Sequence, residues 1–323
     1  MFHGPGFDGA GEKVSGGMQE FEPRQNRCDG PLYAKQAAPT GEASMCRWLA
    51  YTGRPLYLED FLFKPENSLI NQSLHARKGH VATNGDGFGV GWYGDRQEPG
   101  LFRDIRPAWN DENLRSIAEQ IRTGHFFAHV RASTGTSISR ANCHPFQHGR
   151  WMFMHNGQIG GFDRVARDLD FAIAPDHYRM RRGTTDSETI FLLMLTYGLE
   201  RDPEHAVAQA LGKIVDTLAA AKVDEPFRFT AAFTDGRRIY AARYSTDGQS
   251  PTLYYGCGKG VRAAAGGECS DFDGGSDSLL VLSEPLDTEK GHWTAVEENS
   301  LLIAENGRVE IKTLRPLRAR IAA

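Results

Sequence analysis

The rhythm of apolar and polar positions changes several times along this chain, and each rhythm predicts an element. Alternation marks strands. In NGDGFGVGWYG, Phe88, Val90 and Trp92 share one face of a predicted strand. CRWLAY from Cys46, HFFAHVRAST from His125 and WMFMHNGQI from Trp151 read as further strands. A period near 3.6 marks helices. Leu114, Ile117, Ala118 and Ile121 fall on one side of DENLRSIAEQIRTG, with Asn110 as its cap and Gly124 as its stop. YLEDFLF and SLINQSLHAR predict short helical pieces on either side of Pro65. TTDSETIFLLMLTYGLE predicts a helix with Ile190, Leu193, Met194 and Tyr197 on one stripe. Asp202-Pro203 opens another, a cap followed by proline at the first helical position. Val207, Leu211, Ile214, Val215 and Leu218 form its apolar face.

Strand patterns then return. RFTAAFTDGRRIYAARY is a hairpin turning at Asp235-Gly236, and LLIAENGRVEIKTL another turning at Asn306-Gly307. TLYYGC and SLLVLSEPL supply strands between them. Strand blocks separated by a helix pair, without strict βαβ alternation, predict an α+β fold with helices packed on antiparallel sheets. Ahead of Cys46 no period exists. MFHGPGFDGAGEKVSGG has too few aliphatic residues to offset its ordering entropy. Residues 1–45 are therefore expected to be a disordered leader, a propeptide or the product of an early start, and 46–323 a single domain.

Composition narrows the class. The 323 residues are 40% apolar and 24% charged, ordinary for a globular protein with a sizeable core. A net charge of −4 argues against a non-specific nucleic-acid partner. No apolar run approaches the ~20 residues of a membrane span, and the N-terminus lacks a secretory signal pattern. Cys28, Cys46, Cys143, Cys257 and Cys269 form no CxxC, which suggests reduced thiols in a cytoplasm.

Four stretches carry candidate chemistry. In ASMCRWLAY, Cys46 follows Met45 directly. A chain beginning at Cys46 would hold a thiol and a free α-amine on one residue. That amine, with a reference pKa of about 7.7–8.0, can accept the thiol's proton and return it to a leaving group. An upstream peptide removes this base, because an amide nitrogen has no usable lone pair. In HVRASTGT, Arg131 ends an apolar strand. It is a surface or ion-pairing arginine, or a bidentate clamp on a carboxylate with small residues Ser133 and Thr134 beside it. Asn156-Gly157 reads on its own as a hairpin turn. The alternative is an oxyanion hole built from the asparagine amide and the glycine N–H. Thr185 and Glu188 match a capping box. Asp186, in the first helical turn, is a dipole partner or the site of a substrate ammonium.

Other patterns are weaker. Cys143, His144 and His148 form CHxxxH without a second ligand pair, short of a zinc set. Asn84 and Asp86 lack the rest of a calcium loop. GFGVG lies inside a strand pattern, not between strand and helix, so it is no dinucleotide fingerprint.

Taken together, MCRWLAY, the GDGFGVGWY block, AHVRASTG, NCHPFQHGRWMFMHNGQI and TTDSE, in this order, resemble class II glutamine amidotransferase domains, in particular the short, stand-alone branch that includes γ-glutamyl amidases. Those are N-terminal nucleophile hydrolases. The resemblance implies a four-layer αββα sandwich of two antiparallel sheets between helices. It implies Cys46 as nucleophile with its own amine as base, and Asn156 and Gly157 as oxyanion hole. Arg131, helped by Ser133 and Thr134, would hold the substrate α-carboxylate, and Asp186 the α-ammonium. No metal or organic cofactor is implied. His144 matches a family position near the site, without an assigned role. About twenty residues follow the last family-like strand. The ammonia would therefore pass to a separate accepting subunit, or the protein would be a plain amidase acting on glutamine or a γ-glutamyl compound. The alternative is a catalytically silent binding or regulatory module in which Cys46 is never exposed.

Overall fold

Strand β1 (Arg47–Tyr57) sends alternate side chains to opposite sides, Trp48 and Ala50 to one apolar cluster and Leu49 and Tyr51 to another. In the computed structural model the described residues are 46–74, 84–132, 137–257, 278–289 and 291–318, with Met1 and Val261. The expectations for residues 2–45, for Ser133 and Thr134, and for Cys269 lie outside them. After β1 come α1 (Glu59–Leu62), α2 (Leu69–Leu74), β2 (Phe88–Trp92), β3 (Gly100–Asp104), α3 (Glu112–Gln120) and β4 (Arg122–Val130). Next are β5 (Phe146–His148), β6 (Trp151–Ile159), α4 (Phe162–Phe171), α5 (Pro175–Tyr178), α6 (Asp186–Thr196) and α7 (Pro203–Ala220). The last third holds β7 (Phe227–Thr234), β8 (Ile239–Ser245), β9 (Tyr254–Cys257), β10 (Leu279–Leu282), β11 (Thr294–Ala295), β12 (Ser300–Glu305) and β13 (Arg308–Thr313).

Among the described residues these strands form two sheets, ordered β11-β9-β10-β1-β4-β2-β3 and β13-β12-β8-β7-β6-β5. Every pairing is antiparallel. Three apolar clusters reveal the layers. Phe61, Leu69 and Leu114 of α1–α3 pack on Leu49, Val90 and Phe126 of the first sheet. Trp48, Ala50 and Phe127 meet Met152, Met154 and Ala232 between the sheets. Phe153, Phe229 and Ala231 of the second sheet pack on Val165, Ile190 and Leu211 of α4, α6 and α7. The order is helix, sheet, sheet, helix, the αββα sandwich. No helix among the described residues is long and apolar enough to cross a membrane.

Several local expectations need correction. The cap of α3 is Asp111, whose carboxylate accepts the Leu114 N–H at 2.7 Å; Asn110 ends a 3-10 turn. The helix stops before Gly124, because the backbone from Arg122 onward pairs with β1. The stripe expected on α6 is a fully buried surface from Ser187 to Leu195, since α6 packs on β6, α4, α5 and α7 together. Helix α4 has no counterpart in the expected elements, although Val165 and Leu169 repeat at four residues. Its N-cap is Gly161, left-handed at φ 59°, which offers no side-chain signal. The Asn306-Gly307 turn forms as expected, both residues at positive φ. Asn156-Gly157 does not turn: it lies inside β6, opposite Thr230 and Phe229 of β7.

Candidate active site

Cys46 stands one residue before β1 and shares the parity of Trp48 and Ala50, which face the second sheet. Arg131, one residue beyond β4, shares the parity of Phe127. From the opposite sheet, Asn156 follows Met152 and Met154 on the facing side of β6. The two sheets thus bring Cys46 and Arg131 to one interlayer edge, where Gly157 rather than Asn156 meets them. The N-terminus of α6 closes it. A pocket of about 160 Å³ opens there, lined by Cys46, Arg131, Ala132, His144, His155, Gly157, Gln158, Ile159, Phe162, Thr185, Asp186 and Ser187.

The Cys46 Sγ accepts the Ala132 N–H at 3.5 Å and lies 3.6 Å from the Ala132 carbonyl. Burial pushes the thiol pKa up. The Ala132 N–H and the charges of Arg131 and Arg47 oppose that shift, and the Asp186 charge adds to it. A nucleophile here needs a nearby base to lose its proton. Arg47, buried, pairs with the equally buried Glu284 at 2.7 Å and donates to the Cys46 carbonyl at 3.1 Å. That clamp fixes the Cys46 backbone at the mouth of the pocket.

Arg131 is 4% exposed, which excludes the surface reading. Its guanidinium reaches the carbonyls of Asp86 and Ser137, each at 3.4 Å. Its own N–H donates to the Gly87 carbonyl at 2.8 Å, and its carbonyl accepts the Asp86 N–H at 3.1 Å. The glycine-dense GDG stretch therefore serves as a backbone cradle for Arg131. Asn156 is 2% exposed. Gly157 adopts φ 137°, a conformation open to glycine.

Asp186 is the first residue of α6. Its Oδ2 accepts the Ile159 N–H at 2.8 Å and its Oδ1 the Ser187 N–H at 2.7 Å, tying the helix to the end of β6. The capping box closes on one side only. Thr185 Oγ1 accepts the Glu188 N–H at 3.2 Å. The Glu188 carboxylate accepts the N–H groups of Arg182 and Gly183 at 2.8 and 2.7 Å, bracing the loop before the helix instead of returning to Thr185.

Three histidines were not assigned functions from the sequence; His144 and His155 line the pocket, and His129 packs behind them. His155 Nδ1 lies 2.8 Å from Ser187 Oγ, and His129 Nε2 lies 3.4 Å from the His155 carbonyl. The His129 and His144 rings are 4.3 Å apart. Burial lowers all three imidazole pKa values, His129 to about 3. The histidine in MHNG adjoins the Asn-Gly pair, the one sequence signal that pointed at His155. Cys143 turns its Sγ to the carbonyls of Asp104 and Ser139, and His148 lies beside His177. The CHxxxH residues therefore diverge. Among the described residues no group of three or more His, Cys, Asp or Glu is disposed to hold a metal ion.

Two stacked antiparallel sheets between layers of helices are the fold of the N-terminal nucleophile hydrolases. The chain belongs to the class-II glutamine amidotransferases, whose family model matches residues 64–254 and so takes in Arg131, Asn156, Gly157 and Asp186. It is 37% identical over 289 residues to the probable glutamine amidotransferase DUG3 of Saccharomyces cerevisiae, covering 80% of this chain and 81% of that one. It is 26% identical to the gamma-glutamyl-hercynylcysteine sulfoxide hydrolase of Mycolicibacterium smegmatis, over 84% of this chain and 100% of the relative. Among solved structures it resembles a glutamine aminotransferase class-II domain protein from Silicibacter pomeroyi. That match has a TM-score of 0.64 and 38% identity, over 84% of this chain and 100% of the other. The chain is an enzyme of the amidohydrolase type.

Proposed function

We propose that Cys46, freed of the residues before it, is an N-terminal nucleophile that cleaves the γ-amide of glutamine or of a γ-glutamyl compound. The observation that carries this reading is the convergence of Cys46, Arg131, Gly157 and Asp186 on one pocket. Arg131 and Asp186 offer opposite charges for the carboxylate and ammonium of an α-amino-acid head, which orients the γ-carbonyl toward sulfur. The Cys46 amine takes the thiol proton as the S–C bond forms. The carbonyl oxygen becomes an oxyanion between the Asn156 amide and the Gly157 N–H. The C–N bond then breaks, the leaving nitrogen takes the proton from the Cys46 amine, and a glutamyl thioester remains. Water attacks the thioester, gives a proton back to the amine, and glutamate departs as the thiol is restored. No step calls for a metal or an organic cofactor.

The pocket is small beside the ~300–1,000 Å³ typical of sites that enclose a whole ligand. It suits the glutamyl head, leaving the amine side of the substrate outside. The names of the two curated relatives, one an amidotransferase and one a γ-glutamyl hydrolase, support a small γ-glutamyl substrate. Ammonia or amine would go to solvent or to a separate accepting subunit.

The test is ammonia and glutamate release from glutamine and a γ-glutamyl panel. It compares protein beginning at Cys46, the full chain, and Cys46→Ala, with the first residue of each read by intact mass. Turnover is expected only where Cys46 is terminal. Equal release from Cys46→Ala would remove the nucleophile. A chain that keeps its leader in the cell and turns over nothing would favour the silent binding module.

A further inference from the structure

His144 is 4% exposed and lines the same pocket as Cys46 and Arg131. Neither of its ring nitrogens has a hydrogen-bond partner among the described residues. Its neighbours each keep one partner, His129 Nε2 at the His155 carbonyl and His155 Nδ1 at Ser187, and each leaves one ring nitrogen unpartnered among the described residues. Leaving a buried polar atom unsatisfied costs on the order of 1–3 kcal/mol, and His144 carries two. The ring is also hemmed in. It packs at 4.3 Å against His129 and meets Phe146 edge-on at 4.6 Å, so it faces one way. An unpartnered, oriented donor and acceptor at a pocket wall is what a ligand contact looks like before the ligand arrives.

We propose that His144 is a specificity residue whose neutral imidazole donates a hydrogen bond to the α-carboxylate of the acyl donor, beside Arg131. This rests on the glutamyl-binding reading of the pocket above. The assignment to the carboxylate follows from charge. Burial above all, then His129, His155 and the charges of Arg131 and Arg103, hold His144 uncharged. A neutral imidazole still supplies one N–H. In surroundings made positive by two guanidinium groups, that N–H meets an anion more favourably than a cation. The α-ammonium is left to Asp186 at the other side. Neutrality matters as well: an imidazolium would add charge beside Arg131 and upset the match of one cation and one anion to a zwitterionic head.

Binding calorimetry tests this without turnover. Glutamate is compared with 4-aminobutanoate, which lacks only the α-carboxylate, in the wild-type chain, His144→Ala and His144→Gln. A hydrogen bond to a charged group is worth about 1.5–3 kcal/mol, so His144→Ala should weaken glutamate about 10-fold to 150-fold. Binding of 4-aminobutanoate should stay unchanged, and His144→Gln, which keeps an N–H donor, should restore part of the glutamate affinity. Equal loss for both ligands in a folded variant would overturn the proposal, as would no loss for either. If His144→Ala does not fold, His144→Phe, which fills the space without a donor, takes its place: a loss confined to glutamate supports the contact, and equal loss or no loss overturns it. A protein that binds in the expected pattern yet hydrolyses no amide would sink the catalytic reading and leave this one standing.

Discussion

At Gly157 the backbone takes φ 137°, and a β-carbon there would run into the carbonyl oxygen of Arg228 on the neighbouring strand. Gly157→Ala must therefore strain or shift the segment that carries the Gly157 N–H. Strain of this kind costs on the order of 1–3 kcal/mol, which a urea melt will register. If that N–H receives the oxyanion, kcat should fall by about 10²–10³, the typical loss for one such donor. A variant with full kcat would remove Gly157 from the reaction. The residue types at the site were legible in the sequence: the thiol, the guanidinium, the Asn-Gly pair, and the acid at a helix start. Their partners were not. Arg131 depends on the Gly87 carbonyl and Asp186 on the Ile159 N–H, contacts between segments far apart in the chain.

Helix α6 presents Asp186 to the pocket, and a buried carboxylate braces the loop that enters it. Glu188 accepts the N–H groups of Arg182 and Gly183, and Thr185 accepts from Glu188 in turn. Glu188→Ala leaves two loop donors without their anion. The expected cost is about 1.5–3 kcal/mol for a charged hydrogen bond, seen as a lower denaturant midpoint. Because the loop delivers Asp186, KM should rise more than kcat falls. A purely thermodynamic loss with unchanged KM would show that the helix start holds its place without Glu188. The start of this helix was readable from its cap, and so was that of α7, where Asp202 accepts the His205 N–H at 3.1 Å; the end of α6 at Thr196, short of the expected Glu200, was not. Helix α4 was not readable, because a left-handed glycine opens it and no polar cap announces it.

Across the whole molecule, buried histidines couple the stacked sheets to pH. His125 on β4 meets Thr52 Oγ1 on β1 at 3.2 Å and Thr234 Oγ1 on β7, in the other sheet, at 2.8 Å. Its pKa is lowered to about 4, and that of His129 to about 3, both by burial. The unfolded chain titrates these groups near 6.5. Between about 6.5 and 4 the unfolded state therefore binds protons that the native state refuses, and stability rises with pH across that window. The contribution is complete above 6.5 and is lost as pH falls toward the native values. Each such group adds a slope of about 1.4 kcal/mol per pH unit. Urea midpoints at pH 7, 6 and 5 should fall steadily, and His125→Gln should flatten the decline by one proton's worth. A pH-independent midpoint over that range would contradict the buried, neutral histidines.

Sequence alone determined what is local: which stretches alternate, which repeat at helical spacing, where Asp202 starts a helix, and where Asn306-Gly307 reverses a strand. Those depend on neighbours a few residues away. Tertiary structure decided the rest. Asn156-Gly157 is a turn signal that stays extended because β7 pairs along it, a contact made some seventy positions downstream. The stacking of two sheets brings Cys46 and Gly157 to one pocket, and it sets His144 at the pocket wall with two ring nitrogens that have no partner among the described residues. Burial is a property of the assembled layers, and no short window of residues carries it.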